Sequence, residues 1–310
     1  MNKLQISDVR IGVEPAERAP RLERIVLPLA DGEGERHVLA LTAALARAAH
    51  AEVLLVAADA VATRGPAKSG QVSTGTRPSA PTILSTSRSL ARGEDALRAR
   101  GVRVSGYLVR AAADAVSLVR RVTARQHVSM VVLPTRAPAQ MGIRDGMRAA
   151  LAMGVPTLLV RGDTANPWTS AILQRTTVIL PHVPGVNVTA GLLWAEALAQ
   201  CSGRSIVELH IGRGPGARAQ HASAQAFPLE ARATWPAAGV HLRAEMVDDY
   251  ARAIAELSRH AISIVVLPHA PGQREDHGFD ALLRALEHDS LPTLVVPSDV
   301  TPSAGVAVQA

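Results

Sequence analysis

The chain has 310 residues, 47% of them hydrophobic and 19% charged, which excludes a disordered chain and predicts about two domains. With three Trp, two Tyr, two Phe and one Cys, it excludes an aromatic base-stacking surface, an intrachain disulfide and a Cys-based zinc cluster. The net charge of +6 comes mostly from dispersed Arg residues, so we expect no specific nucleic-acid partner.

Residues 1–22 are predicted to form an N-terminal extension. Charged residues are spread through this segment, so it has no apolar stretch of signal-peptide length. The longest stretch without a formal charge, 176–195, contains Pro181 and Pro184 and cannot form a continuous membrane helix. We therefore expect a soluble, cytoplasmic protein with no membrane partner.

The next segment, 23–162, is predicted as the first of two domains. Helix 36–50 places Val38, Leu41, Leu45 and Ala48 on one face, and 111–126 is also an amphipathic helix. Residues 60–88, rich in Ser, Thr, Gly and Pro, are predicted as a flexible loop. Short apolar runs predict buried strands at 24–29, 52–58, 102–109, 129–134 and 156–161.

After a linker at 163–174, a second domain is predicted at 175–298 and a tail at 299–310. Helices are expected at 187–201 and 248–260, the latter opened by Asp248 and Asp249. Cys201 ends the first of these helices and is predicted to be a packing residue rather than a nucleophile. The predicted strands are 176–181, 205–211, 239–247, 262–268 and 292–297.

The two segments repeat one another. Val131-Val132-Leu133-Pro134 recurs identically as Val265-Val266-Leu267-Pro268, and Ile25-Val26-Leu27-Pro28 recurs as Val178-Ile179-Leu180-Pro181. Counting on from Pro28 and Pro181 without a gap, Leu55 corresponds to Glu208. Strands alternate with helices in each half, so we predict an α/β protein made of two tandem, doubly wound parallel-sheet domains of Rossmann-like type.

Each half resembles a universal stress protein domain, and the whole chain resembles a tandem universal stress protein of bacterial type. The residues that carry the resemblance are 24–28, 131–133 and 155–160, with the helices between them. The resemblance implies strand order 3-2-1-4-5 and pairing of domains through their fifth strands. The two halves are thus expected to form an internal pseudo-dimer, and a homodimer of the whole chain is also compatible with the family.

Members of this family that bind ATP hold it at the tips of strands one and four. They carry an acidic residue after the first strand and a G-x-x-G motif, followed by a G-[S/T] pair, after the fourth. Here Pro134 and Pro268 follow the fourth strands where the family has Gly, and neither half has a G-x-x-G. The crevice residues matching this pattern best are Asp31, Gly32, Thr135, Arg136, Gly142 and Gly278.

A metal site is a separate possibility in the second half. His182 follows its first strand and His269 its fourth, and His277 lies in the following loop. Neighbouring strand ends can bring two imidazoles into one crevice, where they would hold a divalent metal or an anion. The alternative is that these histidines face water. The first-half equivalents of His182 and His269 are Leu29 and Thr135.

We therefore predict a non-catalytic stress-response protein that binds a protein partner or small ligand, with eroded nucleotide sites and no assigned cofactor. The alternative is an ATP- or AMP-binding stress sensor that uses the first-half crevice. An enzyme of the wider adenine-nucleotide hydrolase group is supported by fold analogy alone.

Overall fold

The computed structural model describes most of both predicted halves. Its first half consists of β1 (Arg24–Leu29), α1 (Glu35–Ala49), β2 (Glu52–Asp59), α2 (Ala80–Arg98), β3 (Arg103–Arg110), α3 (Ala115–Thr123), β4 (Met130–Thr135), α4 (Ile143–Met153) and β5 (Thr157–Arg161). The described residues are 20–29, 35–59, 80–110, 115–135, 143–161, 168–182, 186, 188–211, 240–247, 249–260, 262–270, 277–288 and 291–298.

The second half repeats the alternation of strands and helices. Its elements are α5 (Ser170–Leu173), β6 (Thr177–Pro181), α6 (Thr189–Cys201), β7 (Ser205–Ile211), β8 (His241–Val247), α7 (Tyr250–His260), β9 (Ser263–His269), α8 (His277–His288) and β10 (Thr293–Pro297). All ten predicted strands are present within two residues of their expected bounds, because buried parallel strands are continuous apolar runs that stand out in the sequence.

The strands form one ten-stranded sheet in the order β3-β2-β1-β4-β5-β10-β9-β6-β7-β8. The order 3-2-1-4-5 expected for the first half is confirmed, and the second half repeats it in mirror order. Neighbouring strands are parallel within each half. The central pair, β5 and β10, is antiparallel, with Leu159 opposite Thr293 and Thr157 opposite Val295. The two fifth strands are therefore direct neighbours, as the resemblance implied.

Helices cover both faces of the sheet, and each face has one apolar layer that continues from the first half into the second. One layer contains Leu41 and Leu45 of α1 together with Ala195 and Leu198 of α6. The opposite layer is formed by residues of α3, α4, α7 and α8 with the facing strand residues, among them Val119, Met147, Ile254, Phe279 and Leu282. Since both layers cross the central strand pair, burial of apolar area ties the halves together on either side.

One expectation for the first half is wrong. Residues 80–88 of the predicted loop are helical and open α2, with Pro81 in the first turn, where a missing N–H costs little. Residues 60–79 lie outside the described residues. On α1, Val38, Leu41 and Leu45 are buried, and Ala48, in the last turn, is exposed.

The segment between the halves contributes to the core. Trp168 and Leu173 are buried, and the Thr169 hydroxyl accepts a hydrogen bond from the Ile172 amide at 3.2 Å, which caps α5. Further contacts join the halves: the Ile143 amide donates to Glu287 at 3.2 Å, and Arg144 pairs with Asp280. The division into domains at 23–162 and 175–298 stays a prediction.

Candidate functional site

The carboxyl ends of β6 and β7 bring three ionisable side chains together. Leu180 lies opposite Glu208 in the parallel register, and the His182 amide donates to the Leu209 carbonyl at 2.8 Å, which continues the ladder by one step. Alternate residues of a strand share a face. His182, Glu208 and His210 therefore project from the same face of the sheet.

The carboxylate of Glu208 lies between the two imidazoles. Nε2 of His182 is 3.7 Å from Oε1 of Glu208, and Nε2 of His210 is 3.4 Å from Oε2. The ring centroids of the histidines are 3.9 Å apart, with the planes tilted by 34°. We call His182, Glu208 and His210 the strand-end triad.

The triad is closed to solvent on the carboxylate side. The Glu208 side chain is 0% exposed, whereas His182 and His210 are 20% and 17% exposed. Burial by itself raises the pKa of Glu208, but the interactions with His182 and His210 outweigh it, and the pKa of Glu208 lies below its ordinary value. The two imidazoles thus favour the ionised form of the buried Glu208 carboxylate, which lies between their nitrogen atoms.

Backbone contacts fix the position of His182. Its carbonyl accepts a hydrogen bond from the Tyr250 hydroxyl, on the first turn of α7. That helix is capped by Asp249, whose carboxylate accepts from the Ala251 amide at 2.7 Å. The turn after β6 is therefore held both by the strand ladder and by a helix on the opposite face.

The corresponding end of the first half is apolar. Leu29 and Leu55 correspond to His182 and Glu208, and Ala57 to His210. Helix α2 covers these residues closely, since a Cβ at Gly93 would lie 3.1 Å from a methyl carbon of both Leu29 and Leu55. The strand-end triad has no counterpart there.

The predicted metal residues do not all meet. His182 belongs to the strand-end triad, whereas the His269 ring stacks on Phe279 with centroids 5.8 Å apart and an angle of 7°. His277 is the first residue of α8, and its side chain lies outside the described residues. Glu208 and His210 were not among the predicted metal residues. The signal in the sequence is a carboxylate inside an apolar strand, at the position where the first half has Leu55.

The predicted crevice residues are described only in part. Thr135 is the last residue of β4 and is partly buried, and Gly278 is the second residue of α8. Asp31, Gly32, Arg136 and Gly142 lie outside the described residues.

Prolines occupy the strand ends where a nucleotide would be expected. Pro28 and Pro134 lie near the carboxyl ends of the neighbouring strands β1 and β4 in the first half, and Pro181 and Pro268 near those of β6 and β9 in the second. Proline has no N–H to donate to a phosphate. These four described positions therefore do not fit a phosphate cradle made of main-chain amides.

Among the described residues, the structure contains no helix that is both long and apolar enough to cross a membrane.

No protein-family model and no curated protein matches the sequence. Solved structures do match the fold over nearly the whole chain. A universal stress protein from Archaeoglobus fulgidus DSM 4304 superposes with a TM-score of 0.61 at 12% identity, over 89% of this chain and 99% of that one.

Two proteins of Pseudomonas aeruginosa are also similar. One, from strain UCBPP-PA14, has a name that places it among the universal stress proteins and matches with a TM-score of 0.53 at 14% identity. The other, from strain PAO1, is described as functionally unknown and matches with a TM-score of 0.54 at 13% identity. Each comparison covers 91% of this chain and 94% of the other. The chain therefore has the fold of the universal stress proteins.

Proposed function

We propose that the protein is a non-catalytic, cytoplasmic stress-response protein that acts by binding, and that its nucleotide sites are eroded in both halves. The observation that carries the proposal is the pair of prolines at the ends of the two central strands in each half. A site that binds a triphosphate through main-chain atoms needs N–H donors at the ends of these strands. Leu29 and Leu55, packed under α2, also make that part of the first-half strand ends apolar.

The one cysteine supports a binding role over covalent catalysis. Burial raises the pKa of Cys201 to about 11, so its thiol is protonated at neutral pH and is a poor nucleophile. It ends α6, far along the strand direction from the carboxyl ends. This is the environment of a packing residue.

The proposal includes a protein partner. Because β5 and β10 already pair inside one chain, a homodimer would have to use another surface. Sedimentation of the protein, purified from unstressed and from stressed cells, measures whether it self-associates.

Mass spectrometry of small molecules released from the purified, denatured protein tests the nucleotide part. We expect no stoichiometric ATP, no saturable heat on titration with Mg-ATP or AMP, and no nucleotide turnover. Pro134→Gly and Pro268→Gly serve as matched variants, since each returns one amide donor to a strand end. Stoichiometric co-purified ATP that is lost in Arg136→Ala would contradict the proposal and favour a sensor using the first-half crevice.

A further inference from the structure

We propose that the strand-end triad of His182, Glu208 and His210 is a binding site for one divalent transition-metal ion, of which Zn²⁺ is the probe. The site does not depend on the proposed function, because His182 follows β6, Glu208 and His210 lie on β7, and none of them is among the prolines that carry that proposal. A stress protein with intact or eroded nucleotide sites could equally hold it.

The spacing of the ligand atoms fits an ion of this size. One ligand atom from each side chain can be chosen so that all three lie within 4.8 Å of one another. Zinc bonds to nitrogen and oxygen of about 2.0–2.2 Å place tetrahedral ligand atoms roughly 3.4 Å apart. The two measured nitrogen-to-oxygen distances, 3.7 Å and 3.4 Å, are close to that value. A small movement of the rings would complete the geometry.

The chemistry of the donors selects the class of metal. Two imidazoles and one carboxylate suit zinc and its transition-metal neighbours, whereas calcium and magnesium require predominantly oxygen ligands. Three protein ligands leave a fourth position for water or for a small anion. The partial exposure of both histidines, at 20% and 17%, gives an ion a route from solvent.

Burial of the carboxylate calls for a compensating cation. Glu208 is fully buried, and its Oε1 has no hydrogen-bond partner within the described part of the chain. A buried carboxylate is costly unless it is paired or coordinates a metal. The same strand position holds Leu55 in the first half, so the fold itself does not require a charge there.

The ligands are held on rigid elements. Glu208 and His210 are two residues apart in β7, toward its carboxyl end, and His182 is fixed through its own amide and carbonyl by Leu209 and Tyr250. Ligands positioned on strands bind with little loss of side-chain freedom. The structure thus supplies a largely preformed site rather than one that must fold around the ion.

The test titrates the full-length, chelator-treated protein with Zn²⁺ and with Co²⁺. We expect one equivalent of Zn²⁺ to bind and Co²⁺ to give the visible absorption of a tetrahedral complex. Glu208→Gln, His182→Gln and His210→Gln should each weaken binding by more than about 100-fold. His127→Gln, which removes an exposed imidazole in the other half, is the matched control and should bind as the unaltered protein does.

Two further readouts apply if a variant folds poorly. In the unaltered protein, Zn²⁺ should raise the unfolding temperature, since an ion that binds only the folded state stabilises it. Zinc should also move the imidazole resonances of His182 and His210 and leave those of His127 unchanged. Failure to bind Zn²⁺ and Co²⁺, or equal binding by all three ligand variants, would overturn the site and leave only an ionic His–Glu–His cluster.

Discussion

The two halves of the sheet place their charged groups at opposite ends of equivalent strands. In the first half, Arg24 and Glu52 form an ion pair of 3.0 Å at the amino ends of β1 and β2, and the positions equivalent to the triad hold Leu29, Leu55 and Ala57. In the second half, Thr177 and Ser205 occupy those amino-end positions, and the strand-end triad occupies the carboxyl ends. With the same strand register, paired ionisable side chains thus lie at the amino ends of β1 and β2 in one half and at the carboxyl ends of β6 and β7 in the other.

This difference shows where a site can arise on such a fold. Strand registers and helix packing are shared by the halves. They cannot by themselves explain why ionisable side chains lie at the carboxyl ends of β6 and β7 and apolar ones at the equivalent positions of β1 and β2. The substitutions at three aligned positions, Leu29, Leu55 and Ala57 against His182, Glu208 and His210, make the difference. Variants at the β5–β10 pair, at the strand-end triad and at the Arg24–Glu52 ion pair test this difference between the halves.

The largest expected effect comes from breaking the contact between the halves. Leu159 is buried in β5 and approaches Gly146 of α4 so closely that a Cβ there would lie 2.7 Å from its methyl carbons. Leu159→Asp should lower the free energy of unfolding by about 4 kcal/mol or more, because it buries an unpaired carboxylate beside β10. Urea unfolding followed by circular dichroism measures the loss.

Leu159→Met is the control for that experiment. It keeps the side-chain volume and should cost less than about 1.5 kcal/mol. Equal stability of Leu159→Asp and the unaltered protein would show that the side chain of residue 159 is not buried where β5 meets β10.

Replacing the strand-end triad by the equivalent residues of the first half should have the next largest effect. The triple variant His182→Leu, Glu208→Leu, His210→Ala copies the residues of the first half. Replacing a buried ionic group by apolar residues is neutral or stabilising, by up to about 4 kcal/mol, and we expect that gain in the presence of a chelator. Thermal unfolding with and without Zn²⁺ measures it.

The same triple variant should lose the stabilisation that Zn²⁺ gives the unaltered protein. A marked loss of stability in chelator would mean that the triad stabilises the fold without a metal. It would also mean that the apolar surroundings of Leu55 are not reproduced around position 208.

A smaller, pH-dependent effect is expected at the first-half ion pair. The hydrogen bond from Ser105 lowers the pKa of Glu52, burial opposes this, and Arg24 and Arg103 lower it further, so the net pKa lies below the ordinary value. A depressed pKa contributes stability above the unfolded-state value, and that contribution is lost as the pH falls through the folded-state value. Glu52→Gln should therefore cost about 1 kcal/mol at neutral pH and nothing in strong acid.

Urea unfolding of Glu52→Gln and the unaltered protein at about pH 7 and about pH 3 measures this change. Asp145→Asn, which removes an exposed pair with Arg148, is the control and should change stability by less than about 0.5 kcal/mol. A cost for Glu52→Gln that persists undiminished in acid would assign the effect to packing instead of charge.

The smallest effect is expected on α6. Burial raises the pKa of Glu196, although the hydrogen bond from Gln200, at 3.1 Å, opposes the shift. A raised carboxyl pKa means that stability falls as the pH rises from the unfolded-state value through the folded-state value. Glu196→Gln keeps an acceptor for Gln200 and should leave the protein equally stable or slightly more stable at neutral pH.

Chemical unfolding at about pH 4 and about pH 7 compares the two proteins. The gain of the variant should be larger at the higher pH. A clear loss at neutral pH would show that the ionised carboxylate has a favourable partner.

The fold could be predicted from sequence because its strands are short apolar runs that recur in order. The start of α2 could not, since its first turns include Pro81, Thr82 and the run Ser85-Thr86-Ser87, residues that favour loops when read locally. Packing decides its structure: Leu97 is fully buried, and Gly93 contacts Leu29 and Leu55. Tertiary contacts override weak local preference here.

Of the three residues of the candidate site, only His182 could be predicted from sequence. His182 stands directly after a strand, which is a position that invites a functional reading. Glu208 and His210 lie inside a strand, where the apolar neighbours Val207 and Leu209 predict burial and hide the charge. Only the register of β6 against β7 shows that these side chains meet His182.

The antiparallel junction of β5 and β10 has a geometric consequence for ligands. Strands of the first half run one way and those of the second half the other, so their carboxyl ends lie on opposite rims of the sheet. Molecules bound at the two rims are kept apart by the length of a strand, roughly 17 Å for five residues. Residues at one rim can therefore change without contacting a molecule bound at the other.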